Sequence, residues 1–143
     1  MEKVFSETGG YPNGRWLRYW APLVLYAGLI FYLSSLPHPE ETLPKVLLDR
    51  LGDKALHVIE YALFGALAYR AFRWAAGPAA ARRAVMLAIA AASFYGLTDE
   101  LHQAFVPFRE SSWLDWVADT LGGAIGAIGV KHATERDMRP AVP

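Results

Sequence analysis

Two carboxylates, an imidazole and an amide stand within five residues in the stretch Thr98-Asp99-Glu100-Leu101-His102-Gln103-Ala104-Phe105. Directly before it run fourteen small and apolar residues, Ala84 to Leu97. Positions i, i+3 and i+4 share a helix face, so Asp99, His102 and Gln103 fall on one stripe. Polar groups closing so apolar a run turn toward a bundle interior or a water-filled cavity rather than lipid. A second set, Asp53, Lys54, His57, Glu60 and Tyr61, follows the same helical steps, and Asp115 and Asp119 are again four apart. Histidine and carboxylates on facing helices serve as acid–base pairs or as metal ligands within a bundle. Oxygen ligands suit Mg, Ca or Mn, and added imidazole suits Zn or Fe. No spacing here selects a metal, so a divalent ion is an option and its identity stays unknown.

The rest of the chain must position these groups. It has 143 residues, one domain's worth, with 54% apolar and 20% charged residues. Formal net charge is zero, which speaks against a nucleic-acid partner. Cysteine is absent, which excludes disulfides, thiol nucleophiles and thiolate metal sites. The charges gather between apolar runs. Those runs are the expected elements: Trp16–Leu36, Asp53–Trp74, Ala84–Phe105 and Trp113–Val130. Each is about the length that crosses the hydrocarbon at 1.5 Å per residue. Pro37 and Pro39 end the first, Gly77-Pro78 lies in the turn after the second, Pro107 breaks the third, and Ser111 or Ser112 suits the N-cap of the fourth. Trp16, Tyr19, Trp20, Trp113 and Trp116 suit the headgroup level. A short surface helix around Lys45–Leu51 is as consistent with the sequence as a plain loop. No cleaved signal peptide is expected, because no small-residue cleavage site follows the first run.

The fold class is therefore an all-α membrane protein, an antiparallel bundle of four transmembrane helices over residues 16–130. Residues 1–15 and 131–143 are expected to be flexible tails. Small residues four apart, Gly122 and Gly126, Ala92 and Gly96, Ala62 and Ala66, support close helix contact, and such seams could also pair two copies into a homodimer. Ten of the fourteen Lys and Arg lie on the side of both tails and the Gly77-Pro78 turn. That excess makes the tail side cytoplasmic. The starts of spans two and four and the end of span three then share the outer leaflet. An outer layer of Asp53, Lys54, His57, His102, Gln103, Arg109 and Asp115 is expected there. An inner layer of Glu60, Tyr61, Asp99, Glu100 and Asp119 is expected beneath it, with Glu60, Asp99 and Asp119 roughly 9–10 Å below the outer ends of their spans, at 1.5 Å per residue.

Plainer roles compete. Lys54, Arg109 and the outer carboxylates could be an ordinary charged interface, and the whole set could be an ionic network that only holds helices together. His38 and His132 suit plain surface positions. Arg70, Arg73, Arg82 and Arg83 suit a topology signal, with contact to anionic headgroups as a secondary use.

The motifs Asp53-Lys54-x-x-His57-x-x-Glu60-Tyr61 and Gly96-x-x-Asp99-Glu100-x-His102-Gln103-x-Phe105-x-Pro107-x-Arg109 resemble the VanZ-like family. Asp115-x-x-x-Asp119-x-x-Gly122 and Ser34-Ser35-x-Pro37 add to the resemblance, which covers about residues 16–130. The family pattern often has asparagine where this chain has Asp119. The resemblance implies a small polytopic protein of the bacterial cytoplasmic membrane, its namesake being linked to resistance to teicoplanin, a lipid-bearing glycopeptide. The matched positions coincide with those that the depth argument selects. The leading expectation is hydrolysis or group transfer on a lipid-linked envelope component or a lipid-tailed molecule. His57 or His102 would be the general base, with Glu60 or Asp99 orienting it. Lys54 and Arg109 would hold an anionic group, Tyr61 and Gln103 would position the reacting group, and Asp53, Glu100, Asp115 and Asp119 would support them. The rival expectation is a protein that binds a lipid or antibiotic, or modulates a partner, without turnover. A small transporter fits less well, because the inner half of the bundle carries no ionisable relay.

Overall fold

The computed structural model describes residues 12–37 and 52–137, with the side chains of 12, 13, 53 and 137 outside that description. All regular structure among the described residues is helical. Helix α1 spans Pro12–Ser34, α2 Asp53–Ala75, the short α3 Gly77–Arg82, α4 Ala84–Gln103 and α5 Trp113–Asp137. The four long elements match the four apolar runs of the sequence. The Lys45–Leu51 segment and the side chain of Asp53 lie outside the described residues.

Three boundaries differ from expectation. Helix α1 opens at Pro12, inside the expected tail; a proline is well tolerated in the first turn because its missing N–H would have no partner there. The turn after α2 winds into α3, entered through Gly77 at φ 83° and Pro78 at its start. Helix α5 runs seven residues past Val130 into the expected tail. The Thr134 hydroxyl donates to the carbonyls of Val130 and Lys131, and Lys131 faces Glu135 one turn on at 3.9 Å.

Helix α2 is the hub. It packs most extensively on α5, then on α1 and α4. Because α2 and α5 run parallel, glycines can align along their whole seam. A Cβ on Gly126 would sit 1.8 Å from the carbonyl oxygen of Ala62, and one on Gly65 would sit 2.1 Å from that of Gly123. Only glycine admits a backbone so close, the packing that small-residue spacing favours. The apolar core joins Ile30 of α1, Tyr61, Phe64 and Ala68 of α2, Ala88 and Ala92 of α4, and Ala127 of α5. On α4 the buried stripe is Ala84, Ala88, Ala92 and Gly96, and it continues as Asp99, Glu100 and Gln103. One face is thus apolar along half its length and acidic along the other.

The outer faces of the bundle are apolar. Val24, Leu25 and Phe31 of α1, Met86, Phe94 and Leu101 of α4, and Leu121 and Ile125 of α5 are all exposed. Two helices, α1 over Gly14–Ser34 and α4, are long and apolar enough to cross a membrane, and only 17% and 33% of their windows are buried within the fold. Helices α2 and α5 carry charged residues near both ends, Lys54, Glu60, Arg70 and Arg73 on α2 and Asp115, Asp119, Lys131 and Glu135 on α5.

Candidate functional site

The first turns of α2 and α5 lie side by side and in the same direction. Steps of three on α2 therefore meet steps of four on α5. Lys54 makes a salt bridge with Asp115 at the rim. One turn deeper, the His57 Nδ1 is 2.9 Å from Asp119 Oδ1. Asp119 is fully buried and His57 nearly so. A buried imidazole–carboxylate bond fixes both the ring's orientation and its tautomer. With the Nδ1 hydrogen donated to Asp119, Nε2 carries the basic lone pair.

Helix α4 closes this pair from a second side. The Glu100 Oε2 accepts from the backbone N–H of Ser112 at 2.6 Å, which ties α4 to the start of α5. The same Ser112 uses its hydroxyl oxygen to accept from the Leu114 N–H at 3.3 Å, capping α5 as its residue type allows. Gln103 donates to Asp99 Oδ2 at 2.9 Å along α4. Glu60 is half-buried, within reach of the charges of His57, Asp99, Asp119 and Arg109. A Cβ on Gly96 would meet Asp119 Oδ2 at 2.7 Å, so the bare backbone of α4 is what admits this carboxylate.

Tyr61, Glu100 and Asp119 each keep one buried oxygen without a hydrogen-bond partner, as does Ser34 on α1. A buried polar atom left unpaired costs about 1–3 kcal/mol, so such atoms mark places where a ligand or ion would be stabilising. One ligand atom each from His57, Glu100 and Asp119 fall within 4.8 Å of one another. Those three residues, one per helix, could hold a divalent cation, with oxygen and imidazole donors that suit Mn or Zn.

The structure thus gathers His57, Glu60, Tyr61, Asp99, Glu100, Gln103, Asp115 and Asp119 into one polar chamber of side chains between α2, α4 and α5, with Lys54 paired to Asp115 and the charge of Arg109 within reach of Glu60. Two details depart from the expected layout. The two layers are not separate: His57 of the outer set bonds Asp119 of the inner one, and Gln103 likewise bonds Asp99. The partner of His57 is Asp119 of the neighbouring helix rather than Glu60 of its own.

His102 leaves the stripe of Asp99 and Gln103 and turns to α1. It stacks on Phe31 with centroids 4.5 Å apart, and its Nε2 is 3.0 Å from Ser35 Oγ. The Ser35 hydroxyl donates to the carbonyl of Phe31 at 2.6 Å, so Nε2 is the donor in the histidine–serine bond. Tyr26 and Tyr95 further tie α1 to the site, donating to the carbonyls of Glu60 at 3.0 Å and Ala27 at 2.5 Å. Ser34, Ser35, Tyr26, Tyr95 and Ser112 were not singled out as site residues from the sequence. For the serines of α1, the signal was the Ser34-Ser35-x-Pro37 motif itself.

No curated protein and no solved structure matches the chain. The VanZ/LLP1 family model matches residues 19–133. That span takes in α2 and α4 entire, most of α1 and α5, and every residue of the chamber, so the chain belongs to the VanZ/LLP1 family.

Proposed function

We propose that this protein is a multi-pass enzyme of the bacterial cytoplasmic membrane, acting by hydrolysis or group transfer on a lipid-linked envelope component or a lipid-bearing glycopeptide. All four long helices would cross the bilayer, with both termini cytoplasmic and the chamber opening toward the outer leaflet. The apolar residues exposed on α1, α4 and α5 support this placement, as does the gathering of Arg70, Arg73, Arg82, Arg83 and Lys131 at the opposite end. Residues 12–15 and 131–137, helical in the structure, would then be cytoplasmic extensions of α1 and α5.

The observation that carries the reading is the buried His57–Asp119 pair with Glu100 beside it. In the proposed mechanism Asp119 orients the ring and Nε2 takes the proton of an attacking water or hydroxyl. In this reading Asp119, 2.9 Å from His57 Nδ1, takes the orienting role in place of Glu60 or Asp99. Arg109 and Lys54 hold the anionic group of the substrate, which a guanidinium can grip at two points. His102, pinned between Phe31 and Ser35, positions α1 at the chamber wall. A ligand that bridges Tyr61, Glu100 and Asp119 would satisfy their unpaired oxygens.

The non-catalytic alternative draws on one specific feature. Lys54 is already paired with Asp115 and His57 with Asp119, the pattern of a network that holds helices and binds without turnover. The two readings separate in lipid nanodiscs. Purified protein would be offered lipid-linked phosphates and lipid-tailed glycopeptides, with and without divalent metal. Conversion that is lost in His57→Ala, in a variant that stays folded, supports the enzyme. Binding without conversion under every condition supports the alternative and sinks the enzyme.

A further inference from the structure

At the end of the bundle opposite the chamber, a groove of about 1130 Å³ lies between α2, α3, α4 and α5. Its mouth carries Arg73, Arg82, Arg83 and Lys131 against a single acid, Glu135. The ion pairs among the described residues engage Lys131 with Glu135 and none of the three arginines. Deeper in, the wall is Val85, Met86, Ile89 and Ala90, and the floor holds Ser93 and Thr120, whose hydroxyls bond each other at 3.0 Å. Ser93 is ten residues from Arg83 along α4, about 15 Å at 1.5 Å per residue. Half of a hydrocarbon core is also about 15 Å. The groove therefore has a cationic head and an apolar body one leaflet deep.

We propose that this groove is a binding site for an anionic glycerophospholipid of the leaflet on the side of the termini. The arginines take the phosphate, which planar guanidinium groups recognise at two points, and the wall of α4 takes an acyl chain. A free phosphate would use the head and leave the apolar body unexplained. The inference rests on the membrane placement proposed above and is independent of any chemistry in the chamber.

The test uses full-length protein in nanodiscs of phosphatidylcholine with a defined fraction of phosphatidylglycerol. Native mass spectrometry after gentle extraction reads the lipids retained. Wild type should keep phosphatidylglycerol in preference to phosphatidylcholine. The Arg82→Gln/Arg83→Gln variant should lose that preference by about tenfold or more, since each basic group near a surface contributes on the order of 1 kcal/mol. Ala90→Phe, which fills the body and keeps every charge, should lower retention of both lipids.

Equal retention of the two lipids by wild type would overturn the proposal. So would a preference unchanged in the arginine variant, or retention of both lipids unchanged in folded Ala90→Phe. Binding of inorganic phosphate with no lipid preference would reassign the groove to a simple anion. An Ala90→Phe variant that changes a dimer to a monomer without altering lipid retention would reassign it to a second copy of the chain. His57→Ala should retain lipid as wild type does, so failure of the chamber chemistry and failure of this site are separately visible. A chain that purifies without detergent would sink the membrane placement itself.

Discussion

Asp119 is where three helices meet: it is carried by α5, bonded to His57 of α2 and pressed on Gly96 of α4. Replacing it tests what the contact is for. Asp119→Asn keeps an oxygen that can accept from His57 Nδ1, and it installs the amide common in the family pattern. It should stay within about 1 kcal/mol of wild-type stability, whereas Asp119→Ala, which orphans a buried imidazole nitrogen, should lose about 1–3 kcal/mol. Thermal unfolding of the detergent-solubilised variants checks the difference. If Asn keeps the fold and removes turnover, the charge serves chemistry; if both are kept, the bond serves architecture. At this scale the sequence told which residues collect but not which pair. Helical spacing placed His57, Glu60, Asp99 and Asp119 near one level, yet it could not choose Asp119 over Glu60 for His57. That choice depends on how two parallel helices, whose first turns lie about sixty residues apart in sequence, register against each other. The departure of His102 toward Ser35 is of the same kind, set by the rotation of α4 against α1.

For the helices, the sequence was more informative, because apolar length and proline punctuation act locally. The starts of α2, α4 and α5 at Asp53, Ala84 and Trp113 fall at the residues expected. The continuation of α5 to Asp137 was not legible, since a polar amphipathic end and a mobile tail share a composition. Small residues four apart were a weak signal in an alanine-rich chain, and the structure sorts them. Gly122 and Gly126 face the backbone of α2, while a Cβ on Gly28 or Gly129 meets nothing within 4 Å. Gly126→Leu must push α2 and α5 apart and should cost about 1–3 kcal/mol or more. Gly129→Ala fills open space within a helix and should stabilise by up to about 1 kcal/mol. Chemical denaturation of the two variants in one detergent would check both signs. Opposite outcomes would mean that the parallel seam is misplaced.

The whole molecule has two dissimilar ends, one acidic and imidazole-bearing, the other rich in arginine. Absence of native cysteine makes their placement directly measurable. A lone cysteine at Ala79, exposed on α3, should react with an impermeant thiol reagent only after cells are opened. One at Glu110, exposed in the loop before α5, should react in intact cells. Labelling of both from the same side would refute the four-span arrangement. The apolar belt that supports this arrangement was visible from composition.

Parallel pairing of α2 with α5 also bears on how the chain is made. The lysine and imidazole of α2 leave the ribosome before the aspartates that answer them exist. During that interval α2 carries its polar groups with no counterpart on α5, and in the proposed four-span arrangement its residence in lipid would be marginal. A nascent chain stopped short of Trp113 should therefore leave α2 prone to slip back out of the insertion machinery. Release of the last helix should then drive α2 home, so that the final span to be synthesised commits the second.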